Sequence, residues 1–74
     1  MEEKILAIMR EVFEDNSLDF NCSQENCENW DSLRHLNLIM ELEEAFHVDF
    51  APEEIARMKT YAMVKNVIEK KLPA

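Results

Sequence analysis

Ser32 is the side chain whose surroundings could do chemistry, with Asp31 directly before it and His35 three positions on. A hydroxyl, a carboxylate and an imidazole at that spacing admit three readings. The plainest is structural: Asp31 and Ser32 are both helix-capping types placed ahead of a run of helix formers, and such a cap contributes roughly 1 kcal/mol. The second is a hydrolytic nucleophile, which needs a base within hydrogen-bond reach, an acid to orient that base and donors for an oxyanion. His35 and Asp31 could fill two of those roles, but the Gly-x-Ser-x-Gly elbow is absent and a chain of 74 residues has no room for a deep catalytic cleft. The third is a modified serine. An anionic group joined to this oxygen would meet free backbone N–H groups and the positive end of a helix dipole, and a separate enzyme could supply the base and metal for its attachment.

The remaining reactive types carry weaker signals. Cys22 and Cys27 lie in a polar segment, and with only His35 and His47 as histidines they make a poor zinc pattern. Two reduced thiols in a loop is the expectation, with a local disulfide as the alternative. Asp15, Ser17, Asp19, Asn21 and Ser23 alternate like the ligands of a calcium loop, yet Phe20 stands at the turn-glycine position and Asn26 at that of the closing glutamate. No metal site is expected.

The element that must position Ser32 is the helix running from it to Phe46. At 3.6 residues per turn, Leu38, Ile39, Leu42, Ala45 and Phe46 share one arc and Arg34, Asn37, Glu41 and Glu44 the opposite one. Leu33, Leu36 and Met40 fall on neither side. They form an apolar strip with Glu43 beside it and Ser32 at its N-terminal end, larger than core packing requires, and such a strip suits a surface that meets partners.

The other elements follow from the same periodicity. Ile5, Leu6, Ile8, Met9, Val12 and Phe13 give an amphipathic first helix that begins on Glu2 and Glu3 and ends at the break supplied by Asn16-Ser17. A long polar connection over 16–29 carries Leu18 and Phe20 as two anchors onto the core. The alternation from Phe46 to Phe50 has no second strand to pair with, so a loop with Val48 and Phe50 pointing inward is expected. Ala51-Pro52-Glu53-Glu54 opens a short helix whose buried side is Ile55 and Met58. Thr60 caps a last helix built on Tyr61, Val64, Val67, Ile68 and Leu72, with Lys65, Lys70 and Lys71 toward its C-terminal end and Pro73 to stop it.

Composition narrows the partners. Sixteen acidic against eight basic residues give a net charge of −8, a field that repels phosphate backbones, so nucleic acid is not an expected ligand. The chain starts Met-Glu-Glu-Lys and no stretch approaches the roughly 18 apolar residues of a membrane span, so neither a signal peptide nor membrane insertion is expected and the cytoplasm is the expected location. Length suits a single domain, 1–74, and the absence of glycine disfavours tight hairpins and phosphate-cradling loops. An all-α fold results, with three longer helices and one short helix before the last.

The run Trp30-Asp31-Ser32-Leu33, followed by Leu36, Leu38-Ile39-Met40, Leu42-Glu43-Glu44 and Phe46, closely resembles the Asp-Ser-Leu region of acyl carrier proteins. The similarity continues through Val48, Pro52-Glu53-Glu54-Ile55 and Met58 to Thr60, Val64 and Ile68. What the resemblance implies is a small, acyl-carrier-like four-helix bundle in which Ser32, preceded by Asp31, carries a 4′-phosphopantetheine arm. A phosphopantetheinyl transferase would supply that arm from coenzyme A, and its thiol would hold acyl groups as thioesters for acyl-loading and acyl-processing enzymes of fatty acid, polyketide or related pathways. By the same resemblance the second helix is the recognition helix, with Leu33, Leu36, Met40, Glu43 and Glu44 meeting partners, and Phe46, Ile55, Ala62 and Met63 line a place for the acyl chain. The chain itself would be a monomer and not an enzyme. Arg34 and Asn37 stand at positions that are usually acidic in fatty acid carriers, and Trp30 where a small residue commonly precedes the Asp; less negative charge near the attachment point changes which basic surfaces dock. The alternatives are an aminoacyl or peptidyl carrier loaded by an adenylating enzyme, and a helical interaction module whose serine stays unmodified.

Overall fold

The computed structural model describes residues 1–72, and their regular structure is helical throughout. In chain order the helices are α1 (Glu2–Phe13), α2 (Ser32–Phe46), α3 (Pro52–Arg57) and α4 (Tyr61–Lys71), three longer ones with the short one before the last. Their apolar faces meet in one core: Ile5, Leu6, Met9 and Phe13 from α1, Leu38, Ile39 and Leu42 from α2, and Tyr61, Val64, Val67 and Ile68 from α4. Each set recurs at three- and four-residue spacing, so a single stripe of each helix leaves water. Burying one such side chain completely is worth about 1.5–3 kcal/mol, and Phe13, Met9, Leu38 and Leu42 are all fully enclosed.

The helix ends are made without glycine. α1 stops at Phe13, short of the expected break at Asn16-Ser17, because Glu14 turns into the left-handed region at φ 52° and directs its N–H back to the last turn. Two further contacts hold the reversal. The Asp15 carboxylate accepts from the Ser17 amide at 2.9 Å, and the Arg10 guanidinium donates to the Leu18 carbonyl at 2.8 and 2.6 Å. α2 closes in the same manner at His47, φ 55°, whose N–H reaches the Glu43 carbonyl. Thr60 caps α4 as expected, its hydroxyl accepting from the Met63 amide at 3.1 Å. Pro73, expected to stop that helix, lies outside the described residues.

The connection from α1 to α2 departs from its reading as a polar loop. Leu18 is buried as expected, but Phe20 stays half-exposed with its ring against Tyr61, centroids 5.0 Å apart. Cys22 and Cys27 belong to the core, both as free thiols. Burial, with Cys27 close by, pushes the Cys22 thiol up to about 11. The loop is pinned to the start of α4 by an antiparallel bridge between Ser23 and Thr60, with Gln24 N–H on the Lys59 carbonyl at 2.9 Å and Tyr61 N–H on the Cys22 carbonyl at 3.0 Å. The carboxylates of the calcium-like pattern are turned inward on their own backbone, Asp15 to Ser17 and Asp19 to the Asn21 amide at 2.9 Å.

Residues 47–51 run without a strand, as expected, with Phe50 buried and Val48 half-buried. α3 corrects a further expectation: none of its own residues is fully buried. Ile55 is half-buried, and Met58, which is fully enclosed, is the cap just beyond the helix. Charge and hydrogen bonds secure this short element. Glu54 accepts from the Ala51 amide at 2.8 Å and pairs with Lys71 at 2.8 Å, and these two contacts, the amide first, hold its carboxyl below the usual range.

Candidate functional site

At the head of α2 the capping role belongs to Asp31 alone. Its backbone is extended, φ −95° and ψ −177°, and its Oδ1 accepts from the Arg34 amide at 2.8 Å. Ser32 is therefore not the cap but the first helical residue, and it is exposed. Its hydroxyl is left out of the cap bond and faces water. The amides of Ser32 and Leu33 precede any carbonyl four residues back within the helix, so the positive end of the dipole lies beside the Ser32 oxygen. An anionic group linked there fits the local electrostatics, and no side chain has to be displaced from a cap to admit it.

His35 does not serve Ser32. It is buried, and both of its ring nitrogens are engaged elsewhere. The Trp30 indole N–H donates to Nδ1 at 2.9 Å, and an indole nitrogen can only donate, so Nδ1 is bare and the proton sits on Nε2. Nε2 lies 2.9 Å from the Ile55 carbonyl oxygen and donates to it. A general base for Ser32 would have to abandon both contacts, so a hydrolytic triad is not assembled here. Trp30 in turn is buried, stacked on Phe13 at 5.0 Å and on His35 at 6.1 Å.

The apolar strip lies open. Leu33, Leu36 and Met40 are 70%, 54% and 64% exposed, while the neighbouring Leu38, Ile39 and Leu42 are in the core. Along this face the charge changes sign. Arg34 pairs with Glu14 at 3.1 Å near the Ser32 end, and Glu41 and Glu44 are exposed farther along. Glu43 is half-buried, and its Oε2 accepts from the Phe50 amide at 3.0 Å, which ties α2 to the segment leading into α3. Of the side chains considered as a lining for an acyl chain, Phe46, Ile55 and Met63 are half-buried and Ala62 is exposed. Phe46 carries the Lys4 ammonium over its ring at 5.0 Å. A polar cavity of about 320 Å³ among Ser23, Gln24, Glu25, Lys59 and Thr60 sits at the loop bridge and includes none of these residues.

Sequence spacing located Ser32, Asp31 and the strip but missed His35 and Trp30 as a bonded pair. The one signal available was a histidine five residues after the only tryptophan, which spacing alone does not separate from chance.

No family model and no curated protein matches the chain. Solved structures do. The holo acyl carrier protein of Geobacter metallireducens superposes with a TM-score of 0.84 at 32% identity, over 95% of this chain and 83% of that one. A Mycobacterium tuberculosis protein proposed to be an acyl carrier protein superposes with a TM-score of 0.83 at 24% identity, over 93% and 95% of the two chains, and adds support for the fold alone. With 32% of positions identical to the first of these over nearly all of this chain, and with the same fold, this chain belongs to the acyl carrier protein family.

Proposed function

We propose that residues 1–74 act as one carrier domain, without catalytic activity of its own, whose Ser32 hydroxyl takes a 4′-phosphopantetheine arm from coenzyme A through a phosphopantetheinyl transferase. The observation that carries this reading is the division of labour at the head of α2: Asp31 makes the cap bond at 2.8 Å, and Ser32 is exposed beside the unpaired amides of the first turn. The resemblance of the fold to a holo carrier supports it.

When bound, the group supplies a thiol that holds acyl cargo as a thioester. The chain's own residues do the rest. Asp31 fixes the start of the helix so that the Ser32 oxygen projects into solvent, and the first-turn N–H groups lower the cost of a phosphodiester anion at that point. Leu33, Leu36 and Met40 offer apolar contact to acyl-loading and acyl-processing enzymes, with Glu41 and Glu44 toward the C-terminal half and Arg34 toward Ser32. A partner surface with an apolar groove, basic residues opposite Glu41 and Glu44 and no basic residue opposite Arg34 is complementary to this face. That pattern supports fatty acid, polyketide or related carrier work with enzymes matched to the reversed charge at Arg34. Two free buried thiols support a reducing compartment such as the cytoplasm.

The test is intact mass after incubation with coenzyme A, magnesium and a phosphopantetheinyl transferase. The expected result is a gain of one phosphopantetheinyl group on the wild-type chain and none on Ser32→Ala. A wild-type chain that gains no mass while folded returns Ser32 to an unmodified residue of a helical interaction module.

A further inference from the structure

We propose that His35 is a positioning residue for group transfer to Ser32, holding the Trp30-Asp31-Ser32 turn in one shape and tying that turn to α3. The inference rests on the carrier reading above and names a residue which that reading does not use. In the transfer, the Ser32 oxygen bonds to a phosphorus of the coenzyme A diphosphate, the bond from that phosphorus to the departing adenosine bisphosphate breaks, and the hydroxyl proton passes to a base on the transferase. The carrier's contribution is to hold Ser32 Oγ where that base and that phosphorus can meet it.

Ser32 is exposed, so nothing packed on its own side chain fixes it; its neighbours must. Both residues before it are bound to His35. Trp30 is held by the imidazole, indole N–H to Nδ1 at 2.9 Å, whereas the Asp31 carbonyl accepts from the His35 amide at 2.8 Å in the ordinary first bond of the helix, which any residue but proline at this position would make. The far side of the imidazole closes the set by donating from Nε2 to the Ile55 carbonyl at 2.9 Å. Phe13 stacks on Trp30 from α1, and Asn29 Nδ2 donates to the Phe13 carbonyl at 2.8 Å, so the turn is anchored on α1 as well. A neutral imidazole with its proton on Nε2 satisfies both polar partners at once. An aliphatic side chain would leave a buried indole N–H without an acceptor, and the turn would sample other shapes to hydrate it. A transferase that binds one shape then pays for the population of the others, so KM rises as the inverse of the competent fraction while kcat stays the same.

The experiment measures transferase kinetics on wild-type chain, His35→Ala, His35→Gln, Trp30→Phe and, as a control for general loss of stability, Val67→Ala on α4. Expected are a KM raised about tenfold for His35→Ala and Trp30→Phe at nearly unchanged kcat, wild-type-like KM for Val67→Ala, and recovery in His35→Gln, whose amide can accept from the indole and donate to the carbonyl. Two readouts are independent of transfer: imidazole nitrogen shifts placing the proton on Nε2, and fluorescence of the only tryptophan moving to a more hydrated emission in His35→Ala. A proton found on Nδ1, or a KM for Trp30→Phe and His35→Ala no higher than that of Val67→Ala, overturns the proposal. If the wild-type chain is modified and these variants match it, this proposal alone fails; if the wild-type chain is not modified, the carrier reading fails first.

Discussion

Cys22 and Cys27 are the reactive side chains that the fold most strongly restrains. Burial favours the neutral thiol, and Cys22 rises from its ordinary 9.0 to about 11. As pH climbs, the unfolded chain therefore ionises first, so the contribution of this thiol to stability is intact below about pH 9 and is lost as pH rises toward 11. Urea melts across that interval should show a downward slope that flattens in Cys22→Ala, and thiol reagents at pH 8 should label the folded chain far more slowly than the unfolded one. Labelling at equal rates would mean that the thiols are open to water. At this scale the sequence was legible where a residue's role is local. Asp31 and Ser32 sit in a capping pattern, and Thr60 caps α4 through a bond three residues away. It was not legible for His35, whose partners are an indole five residues earlier and a carbonyl twenty residues later, nor for the cysteines, because a segment without regular periodicity gives no sign of which side faces inward.

Among the helices, α2 has one face in the core and another open to partners. Met40 lies on the open one, 64% exposed, so Met40→Glu should change stability by less than about 1 kcal/mol while impairing loading by partner enzymes. Thermal melts and acylation assays on one sample check both halves, and a large fall in melting temperature would place Met40 in the core. The recurrence of leucines along α2 made this division readable in advance, since periodicity reports directly on which residues share a side. Boundaries were read less well. α1 ends at Phe13 rather than at Asn16-Ser17, because the reversal depends on Arg10 reaching the Leu18 carbonyl and on Asp15 folding onto Ser17. α3 has the expected start at Pro52, but no residue within it is fully buried, and its half-buried Ile55 and the enclosed cap Met58 are joined by the Glu54–Lys71 pair and the His35 contact in holding it to the bundle.

The whole molecule carries a charge of −8, and salt should act on it in two opposite senses. Screening over a Debye length of about 10 Å at 0.1 M weakens repulsion within the chain, so the melting temperature should rise with sodium chloride, while attraction to basic partner surfaces weakens and docking affinity falls. Melting curves and binding titrations over one salt series test the pair; affinity that does not respond to salt would mean the contacts are mainly apolar. At the acid end the lowered carboxyls of Asp15 and Glu54 contribute stability above their ordinary values that is lost as pH falls through the lowered ones. With no glycine available, α1 and α2 are closed by Glu14 and His47 in a backbone region these residues occupy reluctantly; each turns its N–H back onto its own helix, the α1 reversal is held by bonds within residues 10–18, and Glu14 is paired besides with Arg34 of α2 at 3.1 Å. A peptide cut at Phe13 or at Phe46 would keep its helix-forming letters and lose its full stop, because the punctuation of each helix is written in the residues just past its end.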